Sequence, residues 1–348
     1  MLSLVLPVYN EEAEIGRLLK EILLQKEPPG GFEVLIADGG STDRTRAIVE
    51  EFAAKDGRIR LVENPKRLSS AGRNAGASAA LGRYILFLDG HCAIPRNDYL
   101  CRAVALFAET GADCLSRPQH LDALASGGWA EAIAAARHSR FGHNPGSDIY
   151  AGEPGFTDPR TAGAAYKREC FQRVGMYDER FDACEDVEFN HRIAEAGFRA
   201  FRHPDLRIDY RPRSSLSGLF RQMYRYGRGR ARLMARHRRL VPWPLVGMTA
   251  AVMALVAVLL LRGFGSAAIA SSTLAGAWAL TAGIEAVRAS GGARSTPVLM
   301  RTLAAFAVIH TALLTGFWIG LAEYGHFRAP SAPKLGGPRS ARMLNTPR

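Results

Sequence analysis

The sequence predicts an α/β fold: a mostly parallel sheet covered by helices on both faces, followed by apolar helices toward the C terminus. Three observations lead there. Short apolar runs alternate with helix-like stretches, the rhythm of βαβ units. Acidic side chains stand where those runs end. The last third turns strongly apolar, although mean hydropathy over the 348 residues is only −0.06.

In chain order, residues 3–7, 32–37, 59–62 and 84–88 read as strands, and residues 11–24, 42–54 and 71–81 as the helices between them. A further helix is expected over 187–196. In an open sheet of this kind, ligands collect outside the carboxyl ends of the strands. Asp38 and Asp89 occupy that position. No Gly-x-Gly-x-x-Gly follows the first strand, which speaks against a nicotinamide dehydrogenase.

The domain reading is a unit over 1–212, a basic amphipathic segment over 213–241, a membrane region over 242–323 and a basic, disordered tail over 324–348. Residues 242–261, 264–284 and 298–321 are the expected spans, about 20 apolar residues being needed to cross a bilayer. Buried helices of a soluble domain are the competing reading. Arg221, Arg225, Arg228, Arg230, Arg232, Arg236, Arg238 and Arg239 precede the first span, and the positive-inside rule puts them, with the 1–212 unit, on the cytoplasmic side of a bacterial inner membrane. Three spans would leave the basic tail (Arg328, Lys334, Arg339, Arg342, Arg348) outside. Two spans plus a re-entrant or interfacial segment would remove that conflict.

Charge and cysteine usage narrow the class further. The net charge of +12 is concentrated beside the apolar segments, where anionic lipid attracts it, so membrane lipids rather than nucleic acid are the expected partner. Cys92, Cys101, Cys114, Cys170 and Cys184 form no Cys-x-x-Cys pair, against both a zinc site and a disulfide framework. No cleavable signal peptide is expected at the N terminus.

Several motifs follow one another. Leu6-Pro7-Val8-Tyr9-Asn10-Glu11-Glu12 leaves the first strand and Ala37-Asp38-Gly39-Gly40-Ser41-Thr42-Asp43 the second. Then come Arg73-Asn74-Ala75-Gly76, Leu88-Asp89-Gly90-His91, the stretch 158–166 with Gly163-Ala164, Cys184-Glu185-Asp186-Val187-Glu188, and Gln222-Met223-Tyr224-Arg225-Tyr226. Bland readings compete at most of them: Asn10 or Thr42 capping a helix, Asp38 shaping a turn, Asp43 and Glu188 favouring a helix N-terminus, Arg73 lying solvated on a helix face.

In order and spacing the set resembles family 2 glycosyltransferases, in particular the ExoA-type subgroup that assembles exopolysaccharides such as succinoglycan. The resemblance runs from the N terminus through the arginine-rich segment. It implies a GT-A-like nucleotide-diphospho-sugar transferase domain, with Pro7, Tyr9, Glu11, Asp38, Arg73 and Asp89 on the donor side. It also implies a divalent metal, Mn or Mg, at Asp89 and His91. His91 stands where many relatives carry the second acid of an Asp-x-Asp motif, and imidazole suits Mn better than Mg. Asp186 takes the role of catalytic base by the same resemblance, and an aspartate is already ionised at neutral pH. Direct displacement by the acceptor inverts the anomeric centre. Gly163, Ala164, Glu185, Gln222, Arg225 and Tyr226 fall on the acceptor or diphosphate side. Tyr226 replaces the tryptophan of the Gln-x-x-Arg-Trp motif of processive synthases, which favours transfer of one sugar over extrusion of a polymer.

The function expected from these residues is an inverting transfer from a nucleotide-sugar donor, UDP-linked by resemblance, to a polyprenyl-diphosphate-linked saccharide, within a polysaccharide-assembly complex. Transfer to polyprenyl phosphate is the near alternative. A noncatalytic sugar-nucleotide-binding scaffold is the distant one, and it has no need of a base such as Asp186.

Overall fold

The computed structural model describes residues 1–121, 128–142, 153–160, 163–289 and 296–324. In chain order the strands are β1 (Leu2–Val8), β2 (Phe32–Asp38), β3 (Ile59–Glu63), β4 (Tyr84–Phe87), β5 (Cys92–Ala93), β6 (Cys114–Ser116), β7 (Gln119–Leu121), β8 (Gly155–Thr157), β9 (Ala165–Lys167), β10 (Ala200–Arg202) and β11 (Ile208–Tyr210). The helices are α1 (Ile15–Leu23), α2 (Thr45–Ala53), α3 (Ser69–Ala79), α4 (Tyr99–Thr110), α5 (Gly128–His138), α6 (Arg168–Val174), α7 (Glu185–Glu195), α8 (Leu216–Arg236), α9 (Trp243–Ala289) and α10 (Thr296–Tyr324).

The main sheet has the order β3-β2-β1-β4-β9-β6-β10-β8. β1 to β4 are parallel, and β9 is inserted antiparallel between β4 and β6. Alternating side chains sort onto two faces: Leu2, Leu4 and Leu6 pack with Leu18, Leu19 and Ile22 of α1, whereas Val5, Ile85 and Phe87 pack with Ala77 of α3 and Phe171 and Phe189 of α6 and α7. A smaller sheet, β5-β11-β7, lies beside the end of β4. The strand order reverses between β1 and β4, so their carboxyl ends open the crevice in which such sheets bind ligands.

The C-terminal half of the chain adds a helical layer. α8 and α10 run parallel, meeting at Tyr224 with Gly316, Arg228 with Gly320 and Arg232 with Tyr324, successive four-residue steps on both helices. Glycine permits this approach. A Cβ on Gly316 would overlap the main-chain oxygen of Tyr224, and one on Gly227 would overlap that of Leu313. Ile133 and Ala136 of α5, Leu219 and Met223 of α8, Ala282 and Ala286 of α9, and Phe306 and Ile309 of α10 form the core of this layer.

Where the sequence suggests two helices, 242–261 and 264–284, the structure has one unbroken helix, α9, that continues through Arg262-Gly263. It is not straight. Trp318 of α10 donates to Thr249 Oγ1 and Trp278 of α9 donates to His310 Nδ1, both at 2.9 Å. A straight helix would hold Thr249 and Trp278 about 43 Å apart, whereas His310 and Trp318 are only about 12 Å apart along α10. Side-chain reach adds roughly 20 Å in all, so α9 bends between them. Among the described residues α10 is the one helix long and apolar enough to cross a membrane by length and composition. α9 displays more of its apolar side chains: Met253, Leu260, Leu261, Ile269 and Leu280 are at least 60% exposed.

Candidate active site

The motifs expected on the donor side meet at the carboxyl edge of β1 and β2, where two loops are laced together. Asn10 Oδ1 accepts from the Thr42 amide at 2.9 Å, the Glu11 amide donates to Thr45 Oγ1 at 2.7 Å, and Glu12 and Asp43 each accept from the other loop's backbone. Asp38 is fully buried, and its carboxylate accepts from the Ser41 hydroxyl at 2.6 Å and from the Ser41 amide. It shapes the Gly39-Gly40 turn, in which Gly40 has φ of 72°. Pro7 packs against α3, where a Cβ on Gly72 would come within 3.0 Å of it. Tyr9 is 46% exposed at the mouth of the crevice.

Next to this edge, Arg73 of α3 joins the two acidic motifs. Its Nη2 donates to Asp89 Oδ1 at 3.0 Å and its Nε lies 3.6 Å from Glu185 Oε1, over the rings of Phe87 and Tyr177. Only 12% of the side chain is exposed, so Arg73 is not the solvated helix-face residue the sequence allows. Burial alone would raise the Asp89 carboxyl, but the guanidinium of Arg73, with Arg117 and His91, outweighs it and holds Asp89 below its ordinary value. Burial and the adjacent Asp186 push the Glu185 carboxyl up, with Arg73 opposing.

The residues at the expected metal position fit a divalent ion in part. His91 Nδ1 lies 3.0 Å from Glu11 Oε1, and in the neutral tautomer that donates there Nε2 is left as an acceptor. That Nε2 is buried and has no hydrogen-bond partner among the described residues. A carboxylate behind one ring nitrogen with the other free is the usual setting of a metal-bound histidine. Among the described residues no group of three or more His, Cys, Asp or Glu gathers into a protein-only metal site, so Asp89 and His91 would need ligands from substrate or water.

On the opposite wall, α7 opens with Glu185 and Asp186 after Cys184, whose φ of 63° turns the chain sharply into the helix. Acidic side chains in the first turn suit the helix dipole. Asp186 is exposed, and Glu188 is fully buried against Arg192 and His237. Gly163 and Ala164 lead into β9 at the same edge: the Ala164 amide and carbonyl bond to Leu115 and Phe87. A Cβ on Gly163 would lie 2.5 Å from Tyr166 Oη and 2.6 Å from Asn190 Oδ1, atoms already hydrogen-bonded to each other at 2.7 Å.

α8 backs the acidic turn. The Tyr226 carbonyl accepts from Cys184 Sγ at 3.8 Å, and Gly229 lets the helix close on Ala183 and Cys184. Arg225 donates to the main-chain oxygen of Asp182, and Gln222 keeps a buried Oε1 that has no partner among the described residues.

The family model described as glycosyl transferase family 2 matches residues 3–175. The succinoglycan biosynthesis protein ExoA of Rhizobium meliloti is 37% identical over 238 residues, 68% of this chain and 70% of that protein. The chain belongs to glycosyltransferase family 2. A β-1,3-glucosyltransferase of Escherichia coli, WfgD, named for transfer from UDP-Glc to GlcNAc-diphosphoundecaprenol, is 38% identical over 90 residues, 26% of this chain and 34% of its own. The solved structure of a Pyrobaculum calidifontis mannosyltransferase, PcManGT, in complex with GDP-Man and Mn2+ superposes with a TM-score of 0.61 at 20% identity, covering 91% of this chain and 87% of that one. The enzyme is thus an ExoA-type glycosyltransferase with a GT-A-like fold.

The candidate site also holds residues that no motif singled out. Arg117 follows β6 at the same edge as Asp89; its Nη1 donates to the Phe87 carbonyl at 2.5 Å and its Nη2 lies 3.9 Å from Asp89 Oδ2. Its place at a strand end was a usable signal. Tyr210, at the end of β11, stacks edge-on to His91 at 5.0 Å. Burial raises the Tyr210 hydroxyl and Asp89 adds to the effect, while Arg137 of α5 and Arg213 oppose it.

Proposed function

We propose that this glycosyltransferase moves a sugar, with inversion, from a nucleotide-diphosphate donor to a polyprenyl-diphosphate-linked saccharide at the cytoplasmic face of the bacterial inner membrane, in exopolysaccharide assembly. The observation that carries this reading is Arg73, which ties the strand-end Asp89 to the acidic pair Glu185-Asp186 in one crevice. Tyr9, Glu11 and the laced loops around Asp38 form the nucleoside side, and Arg73 and Arg117 orient Asp89. A divalent ion held by Asp89 and His91, Mn or Mg, would supply positive charge against the departing diphosphate.

Asp186 accepts the proton of the attacking acceptor hydroxyl as the new bond forms, and the nucleotide diphosphate leaves from the opposite face of the sugar. Glu185, whose carboxyl is pushed up by burial, stays behind it as a positioning group. Arg213 and Arg225 provide cationic surface for the phosphates. The PcManGT complex with GDP-Man and Mn2+ supports a nucleotide-sugar donor and a metal, and the diphosphoundecaprenol acceptor in the WfgD name supports a lipid diphosphate and UDP-hexose. The exposed apolar side chains of α9 and the length of α10 support contact with the bilayer.

The test offers a panel of nucleotide sugars, with Mn or Mg, to detergent-solubilised enzyme and polyprenyl-diphosphate-sugar acceptors, and compares wild type with Asp186→Asn. Metal-dependent transfer that falls about 10²- to 10⁴-fold in the variant, with donor affinity retained, is the expected result. Equal transfer by both proteins removes Asp186 as the base. Transfer to bare polyprenyl phosphate alone replaces the diphosphate acceptor with the monophosphate.

A further inference from the structure

α10 has the length and apolarity of a membrane span, yet one face of it is packed against protein from Val298 to Gly320. Arg301 lies 5.9 Å over the Trp129 ring of α5, and His310 Nε2 is 2.9 Å from the Phe141 carbonyl oxygen. Gly316 and Gly320 abut the α8 backbone, and Glu323 takes Arg228 of α8 through two bonds, at 3.1 and 2.7 Å. α8 lies alongside with Arg221 and Arg225 exposed, near the middle of α10. A crossing by α10 would carry those two arginines into hydrocarbon, where a cation is costly. The apolar sequence of α10 serves packing against α5 and α8 instead.

α9 is the reverse case. It is fastened to α10 at Thr249 and at Trp278, and the stretch 250–277 between them is about 42 Å of helix. Met253, Leu260, Leu261, Ile269 and Leu274 of that stretch are at least 47% exposed and fall on more than one face of the helix. A helix that is apolar all round and uncovered by protein suits the interior of a bilayer. The flanking charge agrees: Arg238 and Arg239 are exposed before α9 and Arg288 is exposed at its end, with Arg262 the one charged residue between Arg239 and Glu285. Cations at both ends match anionic headgroups at one membrane face.

We propose that α9 enters the bilayer as a bent helix and returns to the face it entered, whereas α10 stays on that face and does not cross. The inference rests on the membrane contact proposed above and makes it specific: lipid covers the free part of α9, and the 1–212 unit, Arg288 and Ala322 share one side. A first limb of up to about 28 Å, from Trp243 to Leu261, comes close to the ~30 Å thickness of the hydrocarbon, so Arg262 can stand at the far headgroups.

The experiment labels full-length protein in a bacterial membrane with a membrane-impermeant maleimide, from outside in spheroplasts and from the cytoplasmic side in inverted vesicles. The background is Cys101→Ser, because the other four cysteines are buried. Arg288→Cys, Ala322→Cys and Ile269→Cys, all at exposed positions, are tested one at a time. Arg288→Cys and Ala322→Cys should react at least tenfold faster in inverted vesicles than in spheroplasts, and Ile269→Cys should react only after detergent is added. Reaction of Arg288→Cys from outside means that α9 crosses once, and reaction of Ala322→Cys from outside means that α10 crosses. Either result overturns the proposal, as does reaction of either site only after detergent, while the membrane contact itself stands. Free reaction of Ile269→Cys in inverted vesicles, with the protein washed off the membrane by salt, overturns the membrane contact as well.

Discussion

Arg73 is the residue on which the structure makes its sharpest demand. Its cation stands 3.0 Å from one carboxylate and 3.6 Å from another, and all three side chains are mostly shielded, at 12%, 26% and 10% exposure for Arg73, Asp89 and Glu185. With an effective dielectric of about 20, each contact is worth roughly 5 kcal/mol of gross attraction, most of which offsets the desolvation of the three charges. Removing the shared cation strands Glu185 and leaves Asp89 with the more distant Arg117. Arg73→Met, which keeps the length of the side chain and its packing over Phe87 and Tyr177, should destabilise the domain by about 3–5 kcal/mol, or roughly 6–20 °C in Tm. The assay is thermal unfolding of detergent-solubilised protein at neutral pH, with transfer rate measured in parallel. Adding Glu185→Gln to Arg73→Met should restore part of the loss, because one stranded charge is gone. A fall in Tm under about 2 °C, or strictly additive losses in the double variant, would refute the view that Arg73 binds the two acidic motifs together.

Other outcomes follow from the same coordinates. Gly163→Ala should open the buried Tyr166–Asn190 hydrogen bond and lose about 1–3 kcal/mol, read by unfolding, with a matching drop in transfer. Gly316→Leu should force α8 and α10 apart at a backbone contact and lose at least about 1–3 kcal/mol, whereas Gly276→Leu, where a Cβ would meet no neighbour, should leave Tm unchanged within error. Glu188 is buried, which raises its carboxyl, but its bonds to His237 and Arg192 more than compensate and hold it below the ordinary value of 4.5. Its contribution to stability is therefore present above that value and is lost as pH falls through the folded one. Acid unfolding monitored below pH 4.5 should accordingly be shallower in Glu188→Gln.

Much of the sheet was legible because its determinants are local. β1, β2 and β4 alternate or run apolar over a few residues, and Asp38 and Asp89 stand at their ends as the strand-end rule requires. Helix starts were less legible. The first helix begins at Ile15 rather than at residue 11, since Glu11 and Glu12 are drawn into bonds with Thr45 and Asp43 on a loop some thirty residues away. Arg73 shows the same limit. Its sequence neighbours suggest a helix face, and only the fold brings it Asp89 and Glu185. α8 reads as an amphipathic surface helix, yet Gly227 and Gly229 gain their meaning from α10 and from the Ala183-Cys184 turn, neither of them close in sequence.

Those glycines make the C-terminal helices part of the support of the acidic turn. α10 seats α8 through Gly227, Gly316 and Gly320, contacts between backbones that no side-chain rearrangement can restore once lost. α8 in turn closes on Ala183 and Cys184 through Gly229 and accepts the Cys184 thiol at the Tyr226 carbonyl. Cys184 holds the left-handed turn from which Glu185 and Asp186 enter the crevice, a conformation that a non-glycine residue keeps only under such packing. A displacement of α10 therefore reaches the acidic turn through the α10–α8 and α8–Cys184 contacts, whereas the loops that leave β1 and β2 are held by bonds to each other. The same helices that offer the apolar surface thus set the position of the acidic pair, and Arg73, which bonds Asp89 and lies 3.6 Å from Glu185, carries that position on toward the residues proposed for the donor.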